Sequence, residues 1–187
     1  MPADRPRVLV VEDEPALAEL YGIWLSGSAE PTVVTDGAAA LEAVGDADVA
    51  LLDRRMPAMS GDEVLAAFRE RGHDLPVAFV TAVTPDVSLA DAPCDAYLLK
   101  PLDRALALDA VARLAARTTL PPEQRELAAL VERRSVIEDA LTTSELAEND
   151  TYRALLRRIK RQESEAGITV DELPPELFVS PLSGGTI

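Results

Sequence analysis

Short apolar runs recur along the first part of the chain, and each gives way to a polar side chain. Arg7-Val8-Leu9-Val10-Val11 leads into Glu12 and Asp13, and Pro31-Thr32-Val33-Val34-Thr35 into Asp36. Asp48 to Asp53 ends on a carboxylate, Pro76 to Thr81 on a hydroxyl, and Ala96 to Leu99 runs into Lys100. Runs this short, rich in valine and leucine and without strict alternation, read as strands buried on both faces. Between them the apolar spacing changes to three and four. Leu17, Leu20, Tyr21 and Trp24 predict a helix from Pro15 to about Ser26, with proline in the first turn where its missing N–H costs nothing. Asp36-Gly37 caps an alanine-rich helix over 38–44. Gly61-Asp62-Glu63 opens a helix that turns Val64, Leu65 and Phe68 inward, and Gly72 ends it. Pro101 begins a further helix through Leu102, Leu106, Leu108, Val111 and Leu114. Strands alternating with helices predict an α/β fold, a five-stranded parallel doubly wound sheet covered on both faces.

The pattern changes at Thr118-Thr119-Leu120-Pro121-Pro122. Leu127, Leu130, Val131, Ile137 and Leu141 then recur at helical steps, which predicts a helix of about 25 residues with a coiled-coil-like seam. A second helix is expected over 151–166, with Tyr152, Leu155, Leu156 and Ile159 on one side. Residues 171–187 contain three prolines and two glycines, the composition of a loose tail. The expected organisation is an α/β domain over 1–118, a helical domain over 119–168 and an acidic tail over 169–187.

Charge changes the picture by exclusion. The net formal charge is −15; residues 1–117 carry ten basic and twenty acidic groups, and the remainder eight and thirteen. A surface acidic in both halves disfavours non-specific binding to phosphate backbones. Only Lys100 and Lys160 are lysines, a balance that suits solubility in concentrated salt and equally reflects GC-biased codon usage. The local exception is Arg153, Arg157, Arg158, Lys160 and Arg161, which is either a solvated helix face or a contact for DNA or an acidic partner. One cysteine, Cys94, excludes an internal disulfide and suits a small buried hydrophobe. His73 lies in a polar loop. One histidine and one cysteine leave few arrangements for nucleophilic hydrolases. No apolar run approaches the roughly 20 residues of a membrane span, and no signal peptide is visible, so the expected location is the cytoplasm.

The candidate chemistry sits at the ends of the predicted strands, which a parallel sheet gathers at one rim. Glu12, Asp13 and Asp53 put three carboxylates together, and like charges that close call for a counter-ion. A hard divalent cation such as Mg²⁺ meets that need with oxygen ligands. Lys100 adds a compact positive charge and Thr81 a hydroxyl. Metal, lysine and hydroxyl converging on one carboxylate describe in-line phosphoryl transfer onto Asp53.

Val11-Glu12-Asp13-Glu14-Pro15, Leu51-Leu52-Asp53-Arg54-Arg55-Met56-Pro57-Ala58-Met59-Ser60-Gly61, Phe79-Val80-Thr81-Ala82 and Tyr97-Leu98-Leu99-Lys100-Pro101 together resemble the receiver domain of two-component response regulators. The resemblance covers residues 6–117. It implies a flavodoxin-like fold and a phosphoryl group accepted by Asp53 from a sensor histidine kinase. It also implies Mg²⁺ held by Asp13, Asp53 and the Arg55 carbonyl, with Glu12 acting mostly through water. Thr81 and Lys100 would hold phosphoryl oxygens, Tyr97 would be the aromatic of the switch, and Arg55 and Val83 would tune the lifetime of the phosphate. The segment Thr84–Pro93 is shorter than the usual fourth helix of such domains. With the two C-terminal helices, it resembles regulators of halophilic archaea that carry a HalX domain.

Four readings follow. A phospho-switch would transmit its state to the C-terminal helices. A DNA-binding regulator would use the basic cluster, although no helix-turn-helix is recognisable. An adaptor or homodimerisation module would pair through positions 127–141 without DNA. An aspartyl-phosphate phosphatase would need a second acid two residues after Asp53, where Arg55 stands.

Overall fold

The computed structural model describes residues 5–179. Strands β1 (Arg7–Val11), β2 (Glu30–Val34), β3 (Val49–Asp53), β4 (Val77–Thr81) and β5 (Ala96–Leu99) alternate with α1 (Pro15–Leu25), α2 (Gly37–Ala43), α3 (Gly61–Glu70) and α4 (Arg104–Arg117). All pairings are parallel, in the order β2-β1-β3-β4-β5. The order reverses between β1 and β3, so the crevice beyond their C-terminal ends is where a ligand site belongs. Asp13 and Asp53 lie there. The strand and helix expectations hold within one or two residues, and the fold is the anticipated doubly wound sheet. The Asp36 side chain accepts the Ala39 N–H at 2.8 Å at the start of α2, and Ser60 and Glu63 form a capping box on α3.

One boundary differs. The helix after β5 starts at Arg104, not Pro101, because the Asp103 side chain accepts the Leu106 N–H at 2.8 Å and fixes the first turn there. The segment between β4 and β5 forms a single 3₁₀ turn over Val87–Asp91, within the two turns the prolines allow.

The C-terminal part departs further from its expected form. Helix α5 (Pro122–Ala140) has 19 residues, and a Thr142–Glu145 capping box starts the short α6 (Thr143–Ala147) where the long helix was expected to continue. Helix α7 (Asp150–Ala166) ends at Gly167, whose φ of +68° is the left-handed conformation that stops a helix. The α5 seam does not project: Leu127, Leu130, Val131 and Ile137 are buried in the same apolar cluster as Leu52, Phe79, Leu89 and Tyr97. These positions are satisfied within the chain, against the sheet face beside β5 and against α7. Helix α5 thus covers the sheet face that the short 84–93 segment leaves bare. The loose tail also needs correcting over its first part. Leu173, Leu177 and Val179 are buried, with Leu173 and Leu177 in the α5 cluster and Val179 in the cluster on the other sheet face. The expected tail residues 180–187 lie outside the described residues.

Candidate phosphoacceptor site

The rim assembles from three strand ends. Glu12 and Asp13 follow β1, Asp53 ends β3, and Lys100 follows β5. One oxygen from each of Glu12, Asp13 and Asp53 falls within 4.8 Å of the others. Lys100 Nζ lies 2.8 Å from Asp53 Oδ2 and donates to Glu12 Oε1 at 2.9 Å. Glu12 and Asp53 are buried, at 2% and 6% exposure, while Asp13 is half-buried. Burial pushes the Glu12 carboxyl above its ordinary value, against the pull of Lys100. Burial alone would lower Lys100, but its hydrogen bonds to Asp53 and Glu12 outweigh this and hold the ammonium above its usual value.

The donor set fits a hard divalent cation. All three groups are carboxylates, and one lysine leaves two negative charges unbalanced. Glu12 Oε2 lies 2.7 Å from Lys100 Nζ yet has no hydrogen bond of good geometry, so a buried oxygen keeps an unfilled lone pair.

The remaining predicted residues surround this cluster. The Arg55 N–H donates to Asp53 Oδ1 at 2.9 Å. Thr81 is buried at the end of β4; its carbonyl accepts the Lys100 N–H at 2.8 Å, and its Oγ1 accepts the Val83 N–H at 3.2 Å. Tyr97 stands apart from the carboxylates. It is buried, and its hydroxyl donates to the Val83 carbonyl at 2.8 Å. Burial raises its phenol above the ordinary value, against the influence of Arg54. Thr81 and Tyr97 therefore hold the same residue, Val83, one at its N–H and the other at its carbonyl.

The basic cluster of α7 does not form one free patch. Arg158 donates to the Ala90 carbonyl at 3.0 Å and lies 3.4 Å from Asp91, so it faces the turn between β4 and β5. Arg153 pairs with Asp150, Lys160 with Glu163 and Arg161 with Glu165, and Arg157 is exposed. Cys94 is buried as expected, and burial pushes its thiol up to about 12.

Several residues were missed by the sequence reading. Arg54, directly after Asp53, brings its guanidinium over the Phe79 and Tyr97 rings. Arg117, Glu132 and Arg133 are charged yet buried. Arg117 stands three residues after Leu114, and Arg133 three after Leu130, where helical spacing calls for an apolar side chain, whereas Glu132 falls off the steps of Leu127, Leu130, Val131 and Ile137 and carried no local sign.

A doubly wound sheet with this acid rim and lysine defines a receiver-type domain, and comparison with known proteins agrees. The response regulator receiver domain family matches residues 8–112, and the HalX domain matches residues 117–179. The chain belongs to the response regulator receiver family and carries a HalX domain after its receiver. A Haloferax volcanii protein named as a transcriptional regulator is 39% identical over 165 residues, covering 86% of this chain and 28% of that protein. The transcriptional regulatory protein CutR of Streptomyces coelicolor is 40% identical over 121 residues, 62% of this chain and 56% of its own length. The chain thus spans about a quarter of the first relative and just over half of the second. Among solved structures, the signal receiver domain of NarL from Mycobacterium tuberculosis aligns with a TM-score of 0.55 and 35% identity, covering 61% of this chain and 98% of that one. The response regulator TrrA from Thermotoga maritima, in complex with Mg²⁺ and beryllofluoride, aligns at 0.51 and 28% identity, covering 58% of this chain and 98% of that one. Among the described residues, no helix is long and apolar enough to cross a membrane.

Proposed function

We propose that this chain is a two-component response regulator in which Asp53 accepts a phosphoryl group from a sensor histidine kinase. The observation that carries the reading is the buried cluster in which Lys100 bridges Asp53 and Glu12 beside Asp13. An Asp53 carboxylate oxygen attacks phosphorus, the phosphorus–nitrogen bond to the donor histidine breaks, and an acyl phosphate results. Asp13, Asp53 and the Arg55 carbonyl would hold Mg²⁺ with Glu12 nearby, and the ion would neutralise charge on the transferring group. Lys100 and Thr81 then bind phosphoryl oxygens. The protein's chemistry is its own phosphorylation and dephosphorylation, and the cytoplasm is the matching location for a chain of this kind.

The relay runs from Thr81 and Tyr97 through residues 83–92 to the C-terminal helices. The Val83 end of that segment meets both switch residues, and its other end accepts hydrogen bonds from α5 and α7. Arg133 donates to the Ala92 carbonyl and Arg158 to that of Ala90. Tyr97 also lines a cavity of about 120 Å³ with Val136, Asp139 and Ala140 of α5. The output is regulation of transcription, as the name of the Haloferax relative suggests, or of a partner protein. Arg158 turns toward residues 90–91, and Arg153, Lys160 and Arg161 each lie beside an acid of α7, which lowers the net positive charge this face offers to a phosphate backbone.

The test is labelling by acetyl phosphate with Mg²⁺ in molar KCl. Wild type takes up phosphate and Asp53→Asn takes up none, whereas labelling that survives in Asp53→Asn overturns the assignment. Lys100→Ala keeps Mg²⁺ binding and loses the conformational response; an intact response would reduce the lysine to a structural charge.

A further inference from the structure

Arg54 follows the phosphoacceptor directly; it is half-buried and stands outside the acid cluster. Arg54 lies one residue past the end of β3, and its guanidinium reaches the face of Leu52, which pairs with Phe79 on β4, which pairs in turn with Tyr97 on β5. All three side chains are in the same apolar cluster. The guanidinium carbon lies 5.7 Å from the centre of the Phe79 ring and 6.0 Å from that of Tyr97. Its Nε donates to Asp62 Oδ2 of α3 at 2.8 Å. The Arg54 backbone is held as well, since its carbonyl accepts the Gly61 N–H at 2.9 Å. A planar cation tethered at one end and within reach of two aromatic faces is a brace.

We propose that Arg54 is a positioning residue that holds Tyr97 in its buried orientation, the one in which its hydroxyl bonds the Val83 carbonyl. The inference rests on the phosphoacceptor reading and adds to it a residue, outside the acid rim, that biases the switch. Tyr97 is buried and bonded to the Val83 carbonyl. A brace that favours this orientation lowers the cost of the phosphorylated state, because affinity for a phosphoryl mimic scales with the fraction of molecules already competent to bind it.

The test uses the full chain in molar KCl with Mg²⁺. Beryllofluoride is the probe, and the Tyr97 ring signals, assigned with Tyr97→Phe, are the second readout. Arg54→Met should weaken beryllofluoride binding roughly tenfold and shift the Tyr97 signals toward those of a solvent-exposed ring before any beryllofluoride is added. Arg54→Lys should fall between, keeping charge without the flat stack. In a Tyr97→Ala background the Arg54→Met effect should vanish, because the brace then has nothing to hold. Should Arg54→Met fail to fold, Asp62→Asn releases the far end of the guanidinium and should move the same signals in the same direction. Wild-type affinity and unmoved Tyr97 signals in Arg54→Met would overturn the proposal, as would an equal loss in the Tyr97→Ala background. If wild type itself binds no beryllofluoride, the phosphoacceptor reading fails, and the Tyr97 signals alone still decide the brace.

Discussion

Replacing Arg117 by methionine tests whether the C-terminal helices belong to the receiver's own fold. Arg117 is fully buried at the end of α4. Its Nε donates to the Leu177 carbonyl at 2.9 Å, one terminal nitrogen to the Asp95 carbonyl at 2.7 Å and the other to Glu132 Oε2 at 2.6 Å. Glu132 also accepts the Val179 N–H at 3.1 Å, and the Phe178 ring lies 5.9 Å from the guanidinium. One side chain therefore joins α4, the approach to β5, α5 and the last described segment. Methionine keeps most of the aliphatic volume and removes the charge and all three bonds.

Each orphaned buried carbonyl costs on the order of 1 kcal/mol or more. Breaking a buried ion pair from one side typically costs about 3–5 kcal/mol, since the remaining charge has no partner. Glu132 has an escape, because burial already pushes its carboxyl up to about 7 and it can take up a proton. The net expectation is a loss of about 3–5 kcal/mol, a large share of the roughly 5–15 kcal/mol of an ordinary domain. Urea unfolding in molar KCl at pH 7, followed by circular dichroism, measures it. Arg117→Met combined with Glu132→Leu should recover the part of the loss that comes from the uncompensated charge, because apolar replacement of a whole buried pair is near neutral, while the Leu177 and Asp95 carbonyls and the Val179 N–H stay unpaired. A single-variant loss below about 1 kcal/mol, or a double variant no better than the single, would refute the reasoning.

Two further outcomes follow from the geometry. The Glu132 carboxyl is raised by burial, against the pull of Arg117, from an ordinary value of 4.5 to about 7. The folded state therefore binds this proton more tightly than the unfolded one, so the associated stability is full below about 4.5 and is lost as pH rises through about 7. Stability curves between pH 5 and 8 should fall with pH, and Glu132→Gln should flatten that slope; an unchanged slope would assign the titration to other groups. Gly61→Ala should disturb the phosphoacceptor loop, because the added Cβ would stand 2.3 Å from the Asp53 carbonyl oxygen and 2.8 Å from Arg54 Cα, both backbone atoms that cannot swing aside. Overpacking of this kind costs about 1–3 kcal/mol and should weaken Mg²⁺ binding, and a variant with wild-type melting and Mg²⁺ affinity would contradict it.

The receiver was legible because its information is local. Each strand is a short apolar run, and each rim residue is the polar group directly after one, so finding β1, β3, β4 and β5 also placed Glu12, Asp13, Asp53, Thr81 and Lys100. Tyr97 came only through the resemblance, since a buried tyrosine inside a strand has no signature of its own. The seat of α5 was not legible. Its buried face includes Ala128, Ala129, Glu132 and Arg133 as well as leucines, so the periodicity of Leu127, Leu130 and Ile137 looked like a narrow seam and left open whether its partner was in the same chain or a second one. What decides the packing is pairing over long sequence separations: Arg117 with Leu177, Arg133 with Ala92, Arg158 with Ala90. Proline and glycine in 171–187 argued for a loose tail, and three apolar residues, Leu173, Leu177 and Val179, were enough to anchor its first part.

A helical output tied to a receiver by a flexible linker would respond only through whatever surface happened to touch it. Here the α5–α7 pair shares one apolar cluster with β1, β3, β4 and the turn at 87–91, and Val179 reaches the cluster on the opposite face. Close-packed interiors do not absorb displacement gradually; a shift at one side is passed on or a discrete repacking occurs. Residues 83–92 are the part of the receiver that joins the two ends, bonded to Thr81 and Tyr97 at Val83 and to Arg158 and Arg133 at Ala90 and Ala92. With only one 3₁₀ turn between those points, the segment has little slack in which a movement at Val83 could be lost before reaching α5. A full fourth helix would have inserted its own core between Tyr97 and the C-terminal helices. In its place α5 packs in the same apolar cluster as Tyr97 and lines a cavity with it, the arrangement through which the proposed relay would pass.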